Sequence, residues 1–208
     1  MEKILKVLRK IELIEPTWQC EITRKIDPDG KVHIYRTHLR SVSPLIGKLL
    51  SSLILISKAK KILELGCSAG YSTLWMALGA AQNAPCSRTK GRIYTTEILK
   101  EKIDFAKQNF KEAGVKNITI LEGDITETLK KWGKGRLDFI FIDADKDKYL
   151  RYYDLVFPLL KRGGVIVADN VISHENALKP FLDRVKSDPR VVHSLVKMHS
   201  GLMIIWKK

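Results

Sequence analysis

Phe139-Ile140-Phe141-Ile142 runs directly into Asp143-Ala144-Asp145-Lys146-Asp147-Lys148-Tyr149, an apolar stretch that ends in carboxylates with a lysine among them. Further along, Gly164-Val165-Ile166-Val167-Ala168 ends in the same manner, at Asp169-Asn170. Neighbouring parallel strands lie about 4.8 Å apart, and open α/β sheets bind ligands at the carboxyl ends of their strands. Asp143, Asp169 and Asn170 can therefore converge on one hard cation, and oxygen donors of this kind suit Mg²⁺ or a relative better than Zn²⁺. Either pair taken alone also fits a plain turn or a helix N-cap; it is their joint occurrence that favours a site. The spacing of Asp143, Asp145 and Asp147 imitates the start of an EF-hand, but that loop needs Gly at its sixth position and Glu at its twelfth, where Lys148 and Asp154 stand.

A second chemical feature lies upstream, at Glu64-Leu65-Gly66-Cys67-Ser68-Ala69-Gly70-Tyr71-Ser72. A glycine-containing turn between a strand and a helix lets a ligand approach the backbone and exposes the helix N-terminus. Ser68 and Tyr71 occupy the positions where a dinucleotide fingerprint needs glycine, and the Gly-Lys-Ser/Thr of a P-loop is absent. Tight packing would explain the glycines nearly as well. Glu97 strengthens the ligand reading, because a carboxylate just past the second strand can accept from both hydroxyls of a ribose. Asp124, after the third strand, offers an acceptor for an adenine amino group.

The elements that must position these residues follow from periodicity. Residues 2–14 read as an amphipathic helix on Ile4, Val7, Leu8 and Ile11. Residues 21–35 read as two alternating strands around Asp27-Pro28-Asp29-Gly30. Ser43-Pro44 caps a helix to about Ser57. From there strands at 62–65, 92–95, 118–121, 137–142 and 165–168 alternate with helices at 71–78, 100–113, 125–131 and 148–160. Such alternation implies a parallel sheet wrapped by helices on both faces. A helix at 176–186 then leads to strands at 191–197 and 202–206 around Ser200-Gly201, an antiparallel hairpin. Residues 79–91 read as a surface loop.

With 208 residues and 45% apolar content, one domain over 1–208 is expected, with residues 1–40 as an N-terminal helix and hairpin extension. No stretch has signal-peptide or membrane-spanning character, so a soluble, cytoplasmic protein with no membrane partner is expected. Cys20, Cys67 and Cys86 show neither a disulfide framework nor zinc-ligand spacing. The net charge of +14 is uneven: residues 1–61 carry 13 basic and 6 acidic side chains, 62–150 carry 14 and 12, and 151–208 carry 10 and 5. A basic exterior can be a solvated surface or a footprint for nucleic acid or an anionic ligand.

Taken together, Glu64-Leu65-Gly66 through Gly70-Tyr71-Ser72, Tyr94-Thr95-Thr96-Glu97, Asp143-Ala144-Asp145-Lys146-Asp147 and Ala168-Asp169-Asn170-Val171 resemble the metal-dependent class I O-methyltransferases of the catechol and caffeoyl-CoA type. The similarity runs in consistent order over roughly residues 40–208. It implies a Rossmann-like, seven-stranded, mostly parallel sheet ordered 3-2-1-4-5-7-6, S-adenosylmethionine as methyl donor, and a homodimer. It further implies that Asp143, Asp169 and Asn170 hold Mg²⁺ or another divalent cation and that Lys146 is the general base. Val42, Glu64, Gly66, Gly70, Tyr71, Ser72, Glu97, Asp124 and Asp143 are the implied donor contacts. The expected reaction is methyl transfer to a hydroxyl of a small catechol-like or vicinal-diol acceptor. Two departures bear on the acceptor. The first 40 residues lack the helices of the caffeoyl-CoA type, and Val171-Ile172-Ser173-His174-Glu175 lacks the tryptophan found there in plant enzymes. A tRNA acceptor carrying a hydroxylated uridine is the main rival, with Trp18, Tyr35 and Arg36 compatible with it. A non-catalytic binder of adenosyl ligands or nucleic acid is disfavoured by the intact Asp143, Lys146, Asp169 and Asn170.

Overall fold

The computed structural model describes residues 1–26, 30, 32–83 and 91–208. Helix α1 (Glu2–Ile14) buries the expected stripe of Ile4, Val7, Leu8 and Ile11. Strands β1 (Gln19–Ile26) and β2 (Val32–His38) pair antiparallel as a separate two-stranded sheet with a bulge between Glu21 and Thr23. The expected turn at Asp27-Pro28-Asp29 lies outside the described residues. Helix α2 (Pro44–Ile56) starts as its sequence dictates, with proline in the first turn and the Ser43 hydroxyl accepting from the Ile46 amide at 3.3 Å.

The main sheet comprises β3 (Lys61–Leu65), β4 (Arg92–Glu97), β5 (Ile118–Glu122), β6 (Leu137–Ile142), β7 (Leu160–Ala168), β8 (Val191–Val196) and β9 (Leu202–Lys207). Its order is β5-β4-β3-β6-β7-β9-β8. Counted from β3 as the first strand, this is the expected 3-2-1-4-5-7-6. The five strands from β3 to β7 run parallel, and β9 enters antiparallel between β7 and β8. Helices α3 (Tyr71–Gln82), α4 (Lys100–Glu112), α5 (Ile125–Lys130), α6 (Tyr149–Val156) and α7 (Glu175–Ser187) provide the crossovers.

Burial on both faces explains why the central strands read as unbroken apolar runs. Phe139 and Phe141 face a core shared with α1 to α4, whereas Ile140 and Ile142 face Tyr149, Tyr152, Tyr153 and Phe181 of α6 and α7. Each such side chain contributes about 1.5 to 3 kcal/mol on leaving water. The register brings Leu65, Thr96, Leu121, Ile142 and Ala168 to one level, so the loops that follow these strands emerge along a single edge.

Three boundaries differ from expectation. Helix α3 continues to Gln82, past Gly79, because a Cβ at that glycine would strike the Ser51 backbone of α2; the residue serves close helix packing and is no terminator. Strand β7 begins at Leu160, five residues early, since a register shift opposite β6 carries it through Gly163-Gly164. The expected helix over 148–160 is shorter, α6 being flanked by single 3-10 turns at 146–148 and 157–159. No described helix is long and apolar enough to cross a membrane. Cys20 and Cys67 are free thiols, and Cys86 lies outside the described residues.

Candidate active site

The strand ends open into a cleft of about 710 Å³, which is room for a nucleoside-sized ligand together with a small second molecule. Its floor is the turn from β3 to α3. Gly66 (φ +100°), Ser68 (φ +47°) and Gly70 (φ +80°) all take left-handed backbone. Gly66 is required here, because a Cβ would meet the Asp143 carbonyl oxygen across the cleft floor. The Gly66 amide donates to Thr96 Oγ1 at 3.1 Å and the Cys67 amide to the Thr96 carbonyl at 2.8 Å, pinning the turn to β4.

Glu64 lies beneath this turn and does not line the cleft. It is fully buried and accepts from the hydroxyls of Ser72, Thr73 and Thr95, the last at 2.6 Å. Burial pushes its carboxyl up to about 7 against those donors. The residue fastens the first turn of α3 to β3 and β4. Gly70, at the N-cap of α3, packs on Phe110 and also stays out of the cleft. Tyr71 lines the cleft, and its hydroxyl donates to Glu12 of α1 at 2.5 Å.

Glu97 faces the cleft and joins two of its loops. Its carboxylate accepts from the amides of Ser68 at 2.8 Å, Ile98 at 2.9 Å and Leu99 at 3.1 Å. Asp124 also lines the cleft, and its Oδ1 caps α5 through the amides of Thr126 at 2.8 Å and Glu127 at 3.2 Å. Those bonds hold its carboxyl below the usual range. This N-cap role, which the sequence reading did not foresee, takes up one of its oxygens. Ser41, in the cleft wall, has a buried hydroxyl with no hydrogen-bond partner among the described residues.

At the other end Asp143, Lys146, Asp169 and Asn170 come together. Asp143 Oδ1 accepts from Lys146 Nζ at 2.7 Å. The same ammonium donates to the Tyr149 hydroxyl at 3.2 Å, which in turn donates to the Ile142 carbonyl at 3.2 Å. Asp169 is 3% exposed. Its Oδ1 accepts from the Asn170 amide at 2.6 Å and from the Ser200 hydroxyl at 2.5 Å. Burial, and after it the charge of Asp143, raises the Asp169 carboxyl above its ordinary range. Two carboxylates that repel one another at a partly dry strand edge, with an amide beside them on left-handed backbone (Asn170, φ +67°), form a donor set that a hard cation relieves. No trio of His, Cys, Asp or Glu gathers among the described residues, and the third donor here is the Asn170 amide oxygen.

The cleft therefore unites Val42, Gly66, Tyr71, Ser72, Glu97, Asp124, Asp143, Lys146, Asp169 and Asn170, and leaves out Glu64 and Gly70. It also contains Arg40, Lys102, His174, His199 and Ser200, none of which the sequence singled out as site residues. Ser200 had a signal only as half of a turn, and its distance along the chain from Asp169 concealed the pairing.

Comparison with known proteins adds a family and relatives. The sequence profile described as O-methyltransferase matches residues 31–208. A catechol O-methyltransferase of Niastella koreensis is 41% identical over 149 residues, which cover 67% of this chain and 64% of that protein. The chain thus spans less than two thirds of that relative's length. A catechol O-methyltransferase of Mycobacterium tuberculosis is 33% identical over 163 residues, covering 78% and 71% respectively. The crystal structure of an O-methyltransferase from Bacillus cereus in complex with SAH is 25% identical, with a TM-score of 0.77 over 100% of this chain and 91% of that one.

Proposed function

The chain belongs to the O-methyltransferase family over residues 31–208, and on that premise we propose that it moves the methyl group of S-adenosylmethionine to one of two adjacent hydroxyls on a small, catechol-like acceptor. The observation that carries this reading is the meeting of Asp143, Asp169 and Asn170 with Lys146 at one end of a cleft whose other end is the glycine turn and Glu97.

In this reading Glu97 accepts from the donor's ribose and Asp124, through its uncommitted oxygen, from the adenine amino group. The backbone of the Gly66 turn and the α3 N-terminus receive the amino-acid end. Asp143, Asp169 and Asn170 hold a divalent cation, Mg²⁺ in the first instance, which when bound makes an acceptor hydroxyl easier to ionise and fixes its position. Lys146 takes the hydroxyl proton. Asp143 and Tyr149 occupy two directions around its nitrogen, so the free amine's lone pair is left to point elsewhere. Holding the oxygen in line with the sulfonium methyl is then a matter of proximity. The SAH complex of the Bacillus cereus protein and the catechol named for two relatives support donor and acceptor alike.

The test is transfer of labelled methyl from S-adenosylmethionine to catechol by the purified protein. Chelator should abolish transfer and Mg²⁺ restore it. Asp169→Ala should resist that rescue, and Lys146→Ala should lose roughly a hundredfold or more in kcat while still binding SAH. Full activity in chelator would overturn the metal's role, near-normal turnover by Lys146→Ala would overturn the base, and failure to label any vicinal diol would overturn the acceptor class.

A further inference from the structure

Each strand of the main sheet carries a cation at the end that points away from the cleft. In sheet order from β5, Lys116 lies two residues before the strand, Arg92 and Lys61 open β4 and β3, and Arg136 directly precedes β6. Lys161 is the second residue of β7, Lys207 the last of antiparallel β9, and Arg190 directly precedes β8. Register keeps them on one edge, since Lys61 pairs with Arg92, Leu137 with Leu160 and Val191 with Lys207. With strands about 4.8 Å apart, the row is roughly 30 Å long. Arg92, Lys116, Arg136, Lys161 and Arg190 are exposed and Lys61 and Lys207 half-buried, whereas the apolar neighbours Leu137, Leu160 and Val191 are buried.

The two edges of the sheet differ in charge. Segments at the far edge, 57–62, 91–92, 114–118, 131–138, 157–163, 186–192 and 206–208, hold 14 lysines and arginines and two acids, Asp138 and Asp188. Segments at the cleft edge, 39–43, 66–70, 97–99, 123–124, 143–148, 169–175 and 197–201, hold four bases and seven acids. Most of the net charge of +14 therefore sits on the edge away from the cleft. Asp138 pairs with Lys161 at 2.5 Å and the buried Asp188 with Arg190 at 2.6 Å, which leaves the excess standing. Helix C-termini at this edge favour nearby cations, but that effect dies out within the last turn, and all seven members of the row lie outside the helices. Like charges gathered in this way repel one another, a cost that a polyanion relieves.

We propose that this far edge is a docking surface for the phosphate backbone of a duplex nucleic acid. The duplex is a partner and not the acceptor, because the cleft opens at the opposite ends of the same strands; the inference stands whichever hydroxyl is methylated. A duplex carries one phosphate per 3.4 Å of axis on each strand, so a row of roughly 30 Å spans about eight or nine of them. The cations are fixed on a sheet, and a rigid row suits a stiff ligand. An anionic bilayer would in addition call for apolar anchors, and the apolar side chains set beside the row, Leu137, Leu160 and Val191, are buried.

The probe is a fluorescent duplex DNA of about 20 base pairs, a length that exceeds the row, followed by anisotropy across a salt series. Affinity should fall with a log-log slope approaching roughly −6, the value for seven neutralised phosphates. Arg92→Gln, Lys116→Gln and Arg136→Gln combined should reduce that slope by about three and cost roughly tenfold or more in affinity at low salt. All three side chains are exposed, so the melting temperature should hold. Lys100→Gln, Lys148→Gln and Lys197→Gln combined remove the same charge near the cleft edge and should leave duplex binding nearly intact. Equal losses in the two triple variants would mean that net charge alone attracts the duplex, and the docking row would be overturned. It would fall equally if the wild type failed to bind the duplex at low salt. Tighter binding to phosphatidylserine-containing vesicles, lost in the Arg92, Lys116 and Arg136 variant, would give the edge to a membrane instead. SAH affinity measured by calorimetry should be the same with the duplex bound. Competition between the two, or transfer of labelled methyl into the duplex, would place the nucleic acid at the cleft and overturn the proposal.

Discussion

Glu64 shows how a motif residue can serve a ligand it does not touch. Three hydroxyls converge on its buried carboxylate, and through Ser72 and Thr73 it sets the first turn of α3. Because burial raises the folded-state value to about 7, above the ordinary glutamate range, its contribution to stability is fully present below the unfolded value and is lost as pH rises through about 7. Urea unfolding should thus show the protein weaker at about pH 8 than at about pH 5, by about 2 kcal/mol from this group. Glu64→Gln should flatten that slope, and an unchanged slope would mean that the charge is tolerated where it sits. At this scale the sequence was informative where polar side chains cluster at the end of an apolar run, as at Asp143, Lys146, Asp169 and Asn170. It was silent where a partner comes from another loop. Nothing in the spacing joins Ser200 to Asp169 or brings Lys102 beside Arg40, since only the folded sheet edge does so.

Among the elements, the β3–α3 turn tolerates the least change. Alanine at Gly66 would have to hold φ near +100° and displace the Asp143 backbone, which cannot swing aside as a side chain can. Gly66→Ala is expected to lower the melting temperature and to abolish calorimetric SAH binding. Gly133→Ala, with nothing within 4 Å of its Cβ, should leave both nearly unchanged. Retained SAH affinity in Gly66→Ala would mean that the turn is looser than drawn. The alternation of strands and helices was legible because doubly buried strands are short apolar runs and crossover helices carry amphipathic stripes. Glycine misled at element ends. Gly79 is a contact between α2 and α3, and Gly163-Gly164 lies within β7, yet both carry the composition of a break.

Over the whole molecule the excess charge of +14 lies mainly outside residues 62–150, where most of the site is built. If that charge is a solvated surface, catechol methylation should be insensitive to added tRNA at physiological salt. Inhibition by tRNA that fades steeply with salt would instead mark a nucleic-acid footprint, and site-specific labelling of tRNA lost in Asp169→Ala would make RNA the acceptor. The order of the last strands bears on something else, the timing of synthesis. β9 lies between β7 and β8, and the Ser200 that clasps Asp169 comes just before it. A nascent chain that has left the ribosome only as far as β8 has no neighbour for that strand to join, and its Asp169 carboxylate lacks its hydroxyl partner. The clasp on Asp169 is thus made only after Asp143, Lys146, Asp169 and Asn170 have all been synthesised, so a polypeptide interrupted before Ser200 carries those four residues without the hydroxyl that holds Asp169 in place.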